Sequence, residues 1–108
     1  MKIDLVGIGG TITSVSAINQ NLKVYSMEKV HNSKVSISQL NTQIEEIRKK
    51  DLKQRMKIEG LQPKRAEIIL SGELILKAIM EELKIDEVKI SEYDNLEGMV
   101  ILYKLGGN

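Results

Sequence analysis

Lys2-Ile3-Asp4-Leu5-Val6-Gly7-Ile8-Gly9-Gly10-Thr11 is the stretch whose reading decides the fold. Ile3, Leu5 and Val6 suit a buried strand, and the run ends in three closely spaced glycines and a threonine. The pattern predicts a strand, a tight loop and a helix start. Gly7, Gly9 and Gly10 allow positive φ and put no Cβ in the path of a ligand. Thr11 is expected to cap the helix, with backbone N–H groups directed into the loop, a corner that suits an anion. The stretch lacks the lysine of a Walker loop and the full glycine set of a dinucleotide fold, so taken alone it reads equally well as a simple turn.

Downstream, Ile12, Val15 and Ile18 recur every three residues and predict a short helix with one buried side. Residues 22–36 are irregular, with Val24, Val30 and Val35 in short extended pieces and a turn at Asn32-Ser33. His31, the one histidine of the chain, sits here and reads as a structural loop residue. Ser36 and Gln39 have capping-box spacing ahead of a helix whose Leu40, Ile44 and Ile47 share a face. Arg48-Lys49-Lys50 is balanced by Glu45, Glu46 and Asp51 and reads as a solvated helix end, with Glu45 and Lys49 one turn apart. Asp51 is expected to cap a second short helix that buries Leu52 and Met56 and closes at Gly60.

Pro63 starts the longest periodic element, a continuous helix over 63–83. Ile69, Gly72, Leu76, Ile79 and Leu83 form its buried stripe, with Ile68, Ile75 and Ala78 as a second apolar row. Glu73, Lys77, Glu81 and Lys84 form the solvated stripe. The rival reading makes 67–70 a strand that turns at Ser71-Gly72. Gly72 inside a helix costs about 1 kcal/mol relative to Ala, which marks a close approach by a neighbour. Val88 and Ile90 share one face of a short strand, and Asp94-Asn95 cap a last helix through Leu96, Met99, Val100, Leu102 and Tyr103.

The expected fold is α/β in the order β-α-(irregular)-α-α-α-β-α, with the strands parallel. Gly7, Gly9, Gly10 and Thr11 then share the carboxyl rim of the sheet with Ser91, Asp94 and Asn95. With 108 residues the chain is at most one domain. Sixteen Lys and Arg against fifteen Asp and Glu, with 3% aromatic residues, leave neither the charge nor the stacking surface of a nucleic-acid binder. The absence of cysteine fits a reducing, cytoplasmic setting and excludes thiolate metal sites, and no stretch reads as a membrane span.

Gly7-Ile8-Gly9-Gly10-Thr11, Val30-His31-Asn32, Gly60-Leu61-x-Pro63-x-Arg65-Ala66-Glu67-Ile68-Ile69-Leu70-Ser71-Gly72, and Ser91 through Glu97-Gly98, in this order and spacing, resemble the exopolyphosphatase and guanosine pentaphosphate phosphohydrolase (Ppx/GppA) family. That family belongs to the actin, hexokinase and chaperone-ATPase superfamily. The resemblance implies that residues 1–108 are a partial domain, the later part of the second ribonuclease-H-like domain. Gly7, Gly9, Gly10 and Thr11 would then line a cleft for polyphosphate or for guanosine penta- or tetraphosphate, with Mg2+ as cofactor. Ser91, Asp94 and Asn95 are rim candidates.

The family's catalytic glutamate and its D-I-G-G-G-S phosphate loop have no counterpart among these residues, so the chain by itself is expected to hold no catalytic residue and to be inactive. Glu67 stands where the family has Asp, and Asp94-Asn95-Leu96 replace a Gly-Leu-Arg. With the preceding strands absent, the first strand is expected to be an open edge that favours a homodimer. The alternative is a stand-alone, non-catalytic module that binds phosphate or a nucleotide.

Overall fold

The computed structural model describes residues 2–92 and 100–106. β1 (Lys2–Ile8) and β3 (Glu87–Ser91) form the parallel pair expected, in the register Val6↔Lys89, Gly7↔Ile90, Ile8↔Ser91. A short β2 (Lys34–Ser36) runs antiparallel along β3, so Val35 occupies the extended piece anticipated there. β4 (Val100–Gly106) runs antiparallel along the whole of β1, from Lys2↔Gly106 to Ile8↔Val100. The sheet order is β2-β3-β1-β4.

Two expectations fail together at β4. Residues 100–103 are strand, not the end of a helix, and β1 is an interior strand, not an open edge. A short apolar run fits both periods, and an unpaired flank of β1 offers a row of N–H and C=O groups that only another strand can satisfy. Strand pairing therefore decides the conformation, and the parallel-only description applies to β1 and β3 alone. The proposed caps Asp94 and Asn95 lie outside the described residues.

α1 (Gly10–Asn19) is the centre of the packing, touching β1, β2, β3, α2 (Met27–Val30), α3 (Ile37–Arg48) and α5 (Ile69–Leu83). It is buried on every side from Gly10 to Ala17, beyond the single apolar face expected. Its small hydroxyl residues tolerate this where they find partners, Thr13 and Ser14 within the helix and Ser16 across to Ser33. Thr13 Oγ1 and Ser14 Oγ donate to the Gly10 carbonyl at 3.1 and 2.7 Å, and Ser16 Oγ lies 2.6 Å from Ser33 Oγ.

α3 carries the expected Ser36–Gln39 capping box and buries Leu40, Ile44 and Ile47. Its surface ion pair is Glu45–Arg48 at 3.6 Å. Asp51 caps α4 (Leu52–Arg55) in a second capping box, but Leu52 and Met56 stay largely exposed, because one turn of helix cannot turn both onto the core. Gly60 lies beyond the end of α4 and has φ +90°; a Cβ there would meet the Ala17 carbonyl carbon at 2.6 Å.

The continuous helix over 63–83 is two pieces: a 3-10 turn at Pro63–Arg65, then α5 from Ile69. The rival strand at 67–70 is not formed. α5 buries Ile69, Glu73, Leu76 and Met80, while Ile68, Ile75 and Ala78 face out. Ile69 and Leu76 of the expected stripe are thus buried and Ile79 and Leu83 pack partly against the core, but the second apolar row faces out and the buried face includes a carboxylate that the charge pattern assigned to solvent. Gly72 does mark a close approach: a side chain there would run into the Thr11 methyl.

Candidate functional site

At the carboxyl rim of β1 the chain turns through Gly9, whose φ of 121° and ψ of 166° only glycine adopts readily. Among the three loop glycines, positive φ is used at Gly9 alone. Gly7 is needed for space instead, since a Cβ there would lie 2.6 Å from Ile12 Cγ1 where α1 folds back over the strand. Gly9 is also the N-cap of α1, and no side chain caps it. Thr11 therefore does not cap; it is the second helical residue, 5% exposed, with its methyl against Gly72.

The first helical bond runs from Thr13 N–H to the Gly9 carbonyl at 3.0 Å. The N–H groups of Gly10, Thr11 and Ile12 precede it and have no acceptor within the helix. No acidic residue occupies the first turn, so the partial positive charge of the helix start is uncompensated there.

Arg65, present in the family-like motif but given no site role there, completes the corner. The Arg65 guanidinium lies where a side chain on Gly10 would be, 2.6 Å (Cζ) and 2.8 Å (Nε) from the position a Cβ would take. The 3-10 turn at Pro63–Arg65 delivers it: Pro63 presets the turn, and Ala66, fully buried, anchors its far end. The Pro63-x-Arg65 spacing was the available signal, but sequence gives no indication that residue 65 meets residue 10. Gly9, a helix N-terminus with no side-chain cap among the described residues, and an arginine thus converge on one point and can stabilise negative charge there.

Of the other rim candidates, Ser91 ends β3 beside Ile8, largely buried, and so shares the rim as expected. Asp94 and Asn95 lie outside the described residues. Next to Ser91, the Glu92 backbone N–H donates to His31 Nδ1 at 3.1 Å, and the Tyr25 hydroxyl donates to Glu92 Oε2. Burial pushes the Glu92 carboxyl above its ordinary pKa. His31 keeps the structural role read from the sequence, with a named partner.

Glu73 is the other perturbed acid. It is fully buried with neither carboxylate oxygen hydrogen-bonded. Desolvation raises its pKa from 4.5 to about 8, against the attraction of Arg55, which lowers it. It lies on the α5 face that packs on α1 and α3, away from solvent, and is a structural group of the core.

With this geometry in view, the chain can be set beside known proteins. The sequence model of the Ppx/GppA phosphatase family matches residues 2–105. The bifunctional 3-dehydroquinate synthase/phosphatase of Fusobacterium nucleatum is 34% identical over 101 residues, covering 94% of this chain and 15% of that protein. Exopolyphosphatase 2 of Mycobacterium tuberculosis is 30% identical over 100 residues, covering 89% of this chain and 31% of that protein. The crystal structure of the Aquifex aeolicus Ppx/GppA family member superposes with a TM-score of 0.78 at 28% identity, covering 82% of this chain and 29% of that one. An exopolyphosphatase from Cytophaga hutchinsonii shares the fold with a TM-score of 0.70 at 16% identity. The chain spans less than a third of the length of each of these relatives.

Proposed function

Because the chain belongs to the Ppx/GppA phosphatase family, we propose that it is part of a larger phosphohydrolase in which Gly9, Gly10, Thr11 and Arg65 hold a phosphate group of the substrate. The observation that carries this reading is the Arg65 guanidinium seated on Gly10 beside the uncapped start of α1. The substrate class is a phosphoanhydride, inorganic polyphosphate or guanosine pentaphosphate. Water attacks the terminal phosphorus, the bridging P–O bond breaks with the chain one phosphate shorter as leaving group, and the attacked phosphorus is released as orthophosphate. This chain contributes binding and charge: the N–H groups of α1 and Arg65 stabilise the negative oxygens as charge redistributes in the transition state. The base that takes the proton from water belongs to the family's first domain by the resemblance, so the chain alone is expected to turn over nothing. A stand-alone binding module is disfavoured by a family match that extends over nearly the whole chain.

Mg2+ is part of the family expectation, but the described residues of the corner do not fit a cation. They are N–H and guanidinium donors, and among the described residues no group of three or more His, Asp or Glu could hold a metal ion. No step is therefore routed through a metal. A cytoplasmic setting belongs to the proposal, supported by the absence of cysteine; among the described residues no helix is long and apolar enough to cross a membrane. A homodimer also stays within the proposal, although β1, flanked by β3 and β4, no longer supplies its reason. Sedimentation at high concentration decides it, and a monodisperse monomer removes it.

The phosphate reading is tested by Gly10→Val and Arg65→Gln in the full-length protein, with tripolyphosphate as substrate. Val at position 10 meets the flexible end of Arg65 and not backbone, so it displaces the guanidinium at little cost to the fold. Losing one charge-assisted contact, on the order of 1.5–3 kcal/mol, should raise KM by about tenfold or more in each variant at temperatures where the variant is fully folded. Full activity in both variants, or loss only through unfolding, overturns the reading.

A further inference from the structure

The β2–β3 ladder does not stop where β2 ends. Beyond Lys34 the chain bends through Asn32, at φ 66°, and both Asn32 and Ser33 face Ile90. Asn32 N–H donates to the Ile90 carbonyl and Ile90 N–H to the Ser33 carbonyl, each at 2.8 Å. Two residues opposite one is the geometry of a bulge, and it turns the backbone away from β3 into α2. The next N–H on that side of β3 is Glu92, and the carbonyl that would accept it has moved off with the chain. His31 takes its place: its backbone N–H donates to the Met27 carbonyl at 2.8 Å, closing α2, while its side chain turns back so that Nδ1 accepts Glu92 N–H at 3.1 Å.

The acceptor is therefore an imidazole nitrogen standing in for a backbone carbonyl. It accepts only with its lone pair free, which requires the neutral ring with its proton on Nε2. A proton on Nδ1 sets N–H against N–H, and the bond is lost. On the other flank of β3, Ile8 pairs with Ser91, so Gly9 and Glu92 each directly follow the last paired residue of the two strands. Glu92 thus lies on the rim between His31 and the glycine corner.

We propose that neutral His31 is a positioning residue that clasps Glu92 and so fixes the sheet rim beside Gly9, and that protonation of the ring opens the clasp. Its importance for phosphate binding rests on the function proposed above; the clasp itself does not. The charged and titratable groups around it are Glu92 and its hydrogen-bonded Tyr25, then Glu28 and Lys29 of α2. Across the β2–β3 pair stand Lys34 and Lys89, with Lys34 Nζ 3.8 Å from Glu87. His31 is the one histidine of the chain, so its ring signals are unambiguous, and His31→Asn, which leaves the Glu92 carboxyl in place, separates the ring's effect on the Glu92 amide from that carboxyl's own.

The test is amide hydrogen exchange and 15N NMR on the labelled chain between about pH 5 and 8, with the ring nitrogens followed in the same samples. Glu92 N–H should be protected at the upper end and lose protection by about tenfold or more as the ring protonates. The neutral ring should report its proton on Nε2. His31→Asn offers Oδ1 close to the position of Nδ1 and does not titrate, so Glu92 should stay protected across the range. In His31→Phe, Glu92 should exchange quickly throughout, and unchanged amide dispersion elsewhere will show that the variant has folded. A Glu92 amide indifferent to the ring's titration, or protected in His31→Phe, overturns the clasp. Tripolyphosphate binding is measured in parallel on the full-length protein. If tripolyphosphate fails to bind at any pH while Glu92 follows the ring, the phosphate reading falls and the clasp stands.

Discussion

Replacing Glu73 with glutamine should remove a pH dependence from the stability of the fold. Glu73 is fully buried, its oxygens have no hydrogen-bond partners, and desolvation raises its pKa from 4.5 to about 8 despite Arg55. Its neighbours explain the size of the shift: α1, on which α5 packs, carries no ionisable residue, and α3 turns Leu40, Gln43, Ile44 and Ile47 inward. The sign follows from proton linkage. Below pH 4.5 the carboxyl is protonated in both folded and unfolded chains, and the folded state bears no penalty. Between 4.5 and 8 the unfolded chain gives up the proton while the folded one keeps it, so stability falls as pH rises; above 8 the loss is complete.

At about 1.4 kcal/mol per pH unit, the interval from 4.5 to about 8 corresponds to a loss on the order of 5 kcal/mol, reduced where water enters or the helices relax. That is comparable with the whole stability of many small domains, roughly 5–15 kcal/mol. Glutamine keeps the volume and cannot ionise. Urea denaturation of both proteins from pH 4 to 9 is the assay, because the difference between the curves cancels every other titrating group. The difference should grow by roughly 2–5 kcal/mol in favour of glutamine as pH rises. Parallel curves refute the reasoning and would mean that Glu73 reaches water or a counter-charge.

Further substitutions separate the inward and outward faces and probe the turns. Leu76→Ala, at a fully buried site, should destabilise by roughly 2–5 kcal/mol in thermal or urea melts. Ile75→Ala, one residue along and 53% exposed, should cost well under about 1 kcal/mol, and equal effects would mean that α5 is rotated. Gly60→Ala should destabilise by about 1–2 kcal/mol or more, since an L residue is strained at φ +90° and its Cβ would press on the Ala17 carbonyl carbon. A neutral result would show that the 56–62 segment can move off α1.

What the sequence determined by itself is whatever a few neighbouring residues decide. Ser36 with Gln39 and Asp51 with Gln54 cap their helices because donor and acceptor lie three positions apart in any context. Gly9 opens α1 because a positive φ is a property of one residue. The family resemblance was legible for a similar reason, since its motifs are short and ordered along the chain. Tertiary structure decided the rest, where the partner is far away in sequence. Residues 100–106 are strand because β1 has a free flank, and Glu73 is buried because α1 and α3 close over that side of α5. Arg65 reaches Gly10 and His31 reaches Glu92 across 55 and 61 positions, so periodicity and charge pattern hold no trace of either contact. Local conformational preference is written in adjacent residues. The chemistry of this corner depends on which side chains the folded sheet and helices bring to its rim.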